Sequence, residues 1–113
     1  MLKVYHNPRC RKSRAGLELV KRKVSEHEVI DYIKNPLTAA EIKSLLSKLG
    51  KKPTEIIRTQ EELYRKELKG KELSDEEWIK ILSENPRLIQ RPIIETDSKA
   101  IIGDPIENIE NLL

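Results

Sequence analysis

Val4-Tyr5-His6-Asn7-Pro8-Arg9-Cys10-Arg11-Lys12-Ser13-Arg14 runs from an apolar strand, through a proline turn, into a helical pattern. Leu2 to Tyr5 reads as a short buried strand. Arg11 to about Arg22 reads as a helix that offers Ala15, Leu17 and Val20 to a core. Glu28 to Tyr32 reads as a second strand, which makes a β-α-β unit with parallel strands. The thiol of Cys10 therefore falls at the start of a helix, with Arg9, Arg11, Lys12 and Arg14 within four residues. A helix start carries partial positive charge and outward-pointing N–H groups, and both favour a thiolate, as do neighbouring cations. An arbitrary lone cysteine is as readily an inert buried side chain. This setting favours a reactive one.

Working outward from that unit, the middle of the chain reads as helical. Thr38-Ala39-Ala40-Glu41 is a capping-box pattern, followed at helical spacing by Ile42, Leu45, Leu46 and Leu49, and Gly50 is placed to end the helix. Thr59 to Glu62 is expected to open another helix, with Leu63 and Leu68 as anchors. Ser74-Asp75-Glu76-Glu77 is a second capping box ahead of Trp78, Ile79 and Leu82, and Pro86 limits that helix. The period then changes. Pro92 to Thr96 and Lys99 to Gly103 are β-like runs around an Asp97-Ser98 turn, which predicts a hairpin. Asp104-Pro105 reads as an N-cap and first helical proline, with Ile106, Ile109, Leu112 and Leu113 forming one apolar face. The order β-α-β, helices, β-β-α predicts an α/β fold with a mixed four-stranded sheet. No repeat or linker breaks the chain, so residues 1–113 read as a single domain with a helical insertion at about 37–87.

Composition narrows the function. The 113 residues are 36% charged and 37% hydrophobic, with no Phe, which fits a soluble domain with one core. Apolar runs are too short to span a bilayer, and Met1 to Tyr5 enters a strand directly without signal-peptide anatomy. One cysteine allows no internal disulfide and suits a reducing compartment, so the expected location is cytoplasmic. Through Lys23, eight Lys or Arg residues face Glu18 alone, an excess of +7, while the remainder carries 14 basic and 18 acidic groups, or −4. A basic opening segment suits nucleic acid, a small anion or an anionic thiol equally. Three Tyr and one Trp give no aromatic interleaving, which argues against nucleic acid as a partner. His6, His27 and Cys10 have no metal-ligand spacing, so no metal is expected, and no phosphate-loop or dinucleotide motif implies a bound cofactor.

The segment His6 to Arg14 resembles the active-site signature of the ArsC-type, glutaredoxin-linked arsenate reductases, and a similar segment occurs in Spx-type regulators. Ile56-Ile57-Arg58 resembles the family's first arginine segment. Leu88-Ile89-Gln90-Arg91-Pro92-Ile93-Ile94 resembles its arginine-proline segment. The spacing of the three blocks also fits, so the resemblance covers almost the whole chain. It implies a thioredoxin-like fold, with Cys10 as nucleophile and His6 nearby to lower its pKa. Ser13 and Arg14 would lie in the first helical turn, and Pro92 would face the cysteine. Arg58 and Arg91 would bind the anion, a task that suits the planar, permanently charged guanidinium fork. Ser13 stands where a C-x-x-C motif has its second thiol, so turnover needs an external thiol, with glutathione as co-substrate and glutaredoxin as partner.

The resemblance thus implies a thiol oxidoreductase that reduces arsenate or exchanges glutathione mixed disulfides. The chain departs from the pattern where plasmid-type arsenate reductases carry a third arginine. That stretch is Ile102-Gly103-Asp104-Pro105, and its carboxylate repels an arsenate anion while serving as an expected helix N-cap. The alternative is a non-enzymatic, Spx-like regulator that binds RNA polymerase. The C-x-x-S sequence argues against it, because the redox switch of that group commonly uses C-x-x-C.

Overall fold

The computed structural model describes residues 1–113, which divide into two compact units. The first comprises Met1–Asn35 with Arg91–Leu113, and the second Pro36–Gln90. No helix is long and apolar enough to cross a membrane.

The first unit holds the whole sheet. Its strands are β1 (Leu2–His6), β2 (His27–Asp31), β3 (Ile93–Glu95) and β4 (Ala100–Ile102), in the order β2-β1-β3-β4. β1 runs parallel to β2, with Val4 opposite Val29 and His6 opposite Asp31. β1 and β3 are antiparallel, as are β3 and β4, with Val4 opposite Ile94 and Ile94 opposite Ile101. This is the mixed four-stranded sheet that the order of elements predicts, in the thioredoxin-like form that the resemblance implies. The hairpin closes at Thr96, whose N–H donates to the Lys99 carbonyl at 2.7 Å.

Helix α1 (Arg11–Lys23) joins β1 to β2, and its length of 13 residues suits a crossover between parallel strands. Leu17, Leu19 and Val20 of this helix form a core with Leu2, Val4, Ile94 and Ile109. The side chains that alternate on β1 explain this face, since Leu2 and Val4 point the same way along a strand of period two. The predicted core position Ala15 is exposed instead, and Leu19 is buried. The rest of the buried stripe is Ser13 and Gly16, a polar and a small residue that hydrophobicity does not mark.

The last helix differs from expectation. It runs over Glu107–Leu112, with Ile106 rather than Asp104 as its N-cap. Asp104 instead accepts a hydrogen bond from the Lys12 ammonium, so its carboxylate serves α1. Of the expected apolar face, Ile109 is fully buried and Leu113 is exposed. This helix becomes α4 once the two of the second unit are counted. The peptide bonds Arg91–Pro92 and Asp104–Pro105 are cis.

In the second unit, α2 (Ala39–Leu49) and α3 (Asp75–Glu84) each begin with a complete capping box. Thr38 and Ser74 accept from the N–H groups of Glu41 and Glu77, whose carboxylates reach back to the cap N–H. α2 ends at Gly50, whose φ of 66° is the left-handed conformation that glycine adopts without steric cost. Ile42, Leu45, Leu46, Trp78, Ile79 and Leu82 supply buried faces. The helix expected from Thr59 is reduced. Glu62 and Leu63 are helical and lead into a π-helical turn at Tyr64–Leu68, closed by the Lys69 N–H on the Tyr64 carbonyl at 2.8 Å. Arg58 follows an isolated antiparallel bridge between Ile57 and Ile89.

Candidate active site

The first unit builds a thiol site from the end of β1 and the start of α1. The connection is a tight turn in which the Cys10 N–H donates to the Asn7 carbonyl at 3.0 Å. The Asn7 side chain accepts from the Arg9 N–H, also at 3.0 Å, so its amide folds the turn locally. Cys10 is the N-cap of α1, with φ −95° and ψ 122°, and its carbonyl accepts from the Arg14 N–H. No acidic residue lies in the first turn to offset the helix dipole.

Cys10 is half-buried, so its sulfur is reachable. Burial by itself raises the thiol pKa, but the Ser13 N–H, the Arg91 guanidinium and the Lys12 N–H all hydrogen-bond the charged sulfur. The positive charge of Arg91 adds to them, and the net result lies below the ordinary thiol value. Although the neutral thiol makes no formal capping bond, these N–H groups give its thiolate the acceptor role that an N-cap oxygen normally fills.

Behind the thiol lies a buried polar cluster. The Ser13 hydroxyl is fully enclosed and accepts the Asn7 N–H at 3.0 Å, while His6 Nδ1 stands 2.7 Å from the same oxygen. Ser13 thus addresses Cys10 through its backbone N–H, with its hydroxyl engaged by His6 and Asn7. Burial lowers the His6 pKa below 6.5. The Asp31 carboxylate and a hydrogen bond to the Ser13 backbone oppose this, and the charges of Lys21 and Arg14 reinforce it. His6 is therefore neutral at pH 7 and supplies a hydrogen bond rather than a positive charge.

Arg91 is buried beside Cys10 and precedes Pro92, which is fully buried. Arg14 is exposed, and its guanidinium donates to the Pro8 carbonyl at 2.9 Å. The structure thus gathers Cys10, His6, Ser13, Arg14, Arg91 and Pro92 in the first unit. Arg58 belongs to the second unit, where its Nε pairs with Glu61 at 3.2 Å and its N–H donates to the Leu88 carbonyl. Two interactions escape the sequence reading. Asn7 folds the cysteine turn, and its signal is the Asn-Pro dipeptide. Asp104 pairs with Lys12 at 2.9 Å across 92 positions of sequence, which no local pattern can reveal.

The chain matches the model of the ArsC family over residues 5–112. It is 42% identical over 110 residues to the uncharacterized protein YfgD of Escherichia coli strain K12, a match that covers 96% of this chain and 92% of that one. Identity to an arsenate reductase of Neisseria meningitidis is 35% over 114 residues, covering 99% and 97% of the two chains. Among solved structures, an arsenate reductase from Vibrio cholerae is similar at a TM-score of 0.93 and 34% identity, over 99% of this chain and 97% of that one. With a thiol turn, a mixed sheet and a family match that extends over nearly every residue, the chain belongs to the ArsC family.

Proposed function

We propose that the chain is a thiol oxidoreductase that reduces arsenate, with Cys10 as nucleophile and glutathione with glutaredoxin as the external reductant. The observation that carries this reading is a reachable sulfur whose anionic form is favoured by two first-turn N–H groups and by Arg91. A thiolate attacks electrophilic arsenic, and permanent positive charge beside it draws an oxyanion and offsets the charge that develops on oxygen.

In the first step the Cys10 thiolate forms an S–As bond and an arsenate oxygen leaves as water after protonation. Arg91 holds the remaining oxygens, a task that the family resemblance extends to Arg58. Glutathione then supplies a second sulfur. The two sulfurs join as a mixed disulfide and pass two electrons to arsenic, which leaves as arsenite. Ser13 offers no resolving thiol, so glutaredoxin reduces the disulfide and returns Cys10 to the thiolate. The exposed cations Arg9, Arg11 and Arg14 at the rim suit an anionic thiol. Such a cycle fits a reducing cytoplasm.

The test is alkylation of Cys10 against pH, with and without arsenate, beside an assay of arsenate reduction that depends on glutathione and glutaredoxin. The expected inflection lies below the free-cysteine value of about 8.5. Arsenate should protect the thiol, and Cys10→Ser should abolish turnover. An ordinary titration without protection, or turnover that survives Cys10→Ser, would remove the proposal.

A further inference from the structure

Two glycines of the first unit sit against the ring of Pro92. A Cβ on Gly16, in the middle of α1, would meet Pro92 Cγ at 2.6 Å and Ile109 Cδ1 at 3.1 Å. A Cβ on Gly103, just past β4, would meet Pro92 Cγ and Ile109 Cδ1 at 2.9 Å each. Neither glycine has the left-handed φ that makes Gly50 and Gly70 necessary for the backbone. Gly16 also weakens the helix that holds it, since glycine is a poor residue for a helix interior. The requirement at both positions is space. Gly103 adds a directed link, because its N–H donates to the Pro92 carbonyl at 2.7 Å.

Pro92 follows Arg91, and Gly16 lies on the helix whose first turn holds Cys10. The slot therefore sets how near the backbone that carries Arg91 can lie to the helix start that carries the sulfur. We propose that Gly16 and Gly103 are positioning residues for the thiol site: by leaving room for the Pro92 ring they hold the Arg91 guanidinium on Cys10. This rests on the reading of Cys10 and Arg91 as nucleophile and anion holder. A methyl at either position wedges Pro92 outward, because ring and helix backbone cannot yield as a flexible side-chain end can.

The test measures the thiolate titration of Cys10 in folded protein by its ultraviolet absorbance, and arsenate protection against alkylation. The variants are Gly16→Ala, Arg91→Ala and the double variant. Gly16→Ala should move the titration to higher pH and weaken arsenate protection about tenfold, the worth of one charge-assisted hydrogen bond. Both effects should vanish in the Arg91→Ala background, since the methyl acts through that side chain. If Gly16→Ala lowers only thermal stability and leaves the Cys10 titration in place, the glycine is structural and the proposal is wrong. Should Gly16→Ala not fold, Gly103→Ala with Ile109→Val removes the Cδ1 clash and keeps the one with Pro92, and the same readouts decide. Parent protein that arsenate fails to protect would sink the arsenate reading alone, because the titration shift still tests the slot.

Discussion

His6 Nδ1 lies 2.7 Å from Ser13 Oγ, which also accepts the Asn7 N–H at 3.0 Å, and all three residues are buried. One hydroxyl thus ties the end of β1, the cysteine turn and the first turn of α1 together. Ser13→Ala removes it and leaves a ring nitrogen and an amide without their partner. The expected cost is about 1–3 kcal/mol, the range for orphaning buried polar groups, as read by denaturant unfolding. A loss near zero would mean that the cluster does not hold the turn.

The same cluster makes stability pH-dependent. In the unfolded chain His6 takes up a proton near its ordinary 6.5, whereas burial, the largest influence, delays that uptake to lower pH in the fold. Below 6.5 the unfolded state therefore binds more protons. The stability held by neutral His6 is complete above that pH and drains away as pH falls toward the folded value. His6→Gln should flatten the slope of unfolding free energy against pH in that window relative to the parent, while the two slopes coincide above pH 7. Equal slopes below 6.5 would contradict the assignment.

How far the sequence discloses these features depends on the range of the interaction. Thr38 with Glu41 and Ser74 with Glu77 are three residues apart, so both capping boxes are visible in a four-residue window. The sheet is legible because its strands fall on short apolar runs bounded by turn residues, as with Ile93-Ile94 in β3. The buried stripe of α1 is not, because Ser13 and Gly16 belong to it for reasons of hydrogen bonding and space rather than apolarity. Asp104 looks like an N-cap from its neighbours, yet its partner is Lys12. Cys10 stands out by its place at a helix start among cations, whereas Arg58 and Arg91 stand out only through their motif blocks. What surrounds Arg58 locally, an ion pair with Glu61, reads in sequence merely as a helix start.

The Lys12–Asp104 pair gives a separate prediction. Both side chains are largely exposed, so the pair contributes under about 1 kcal/mol to stability. Asp104→Asn should leave the unfolding midpoint nearly unchanged. It removes a carboxylate next to a chain of cations and releases the Lys12 ammonium, so arsenate should protect Cys10 at lower concentration, and less so at high salt. Unchanged protection would mean that the pair lies outside the field felt by the anion.

The two arginines should separate by their effects on the sulfur. Arg91 both hydrogen-bonds the Cys10 thiolate and adds charge beside it. Arg58 sits in the second unit with Glu61 on its Nε. Arg91→Ala should therefore raise the pH of Cys10 alkylation and weaken arsenate protection together. Arg58→Ala tests the anion-holding role that the family resemblance implies: protection should weaken about tenfold with the alkylation profile left in place. Glu61→Gln removes the charge that competes for Arg58 and should strengthen protection. The measurement is the same for all three variants: alkylation rate against pH at several arsenate concentrations. If Arg58→Ala behaves as the parent in both respects, Arg58 is a structural partner of Glu61 and Arg91 holds the anion without it.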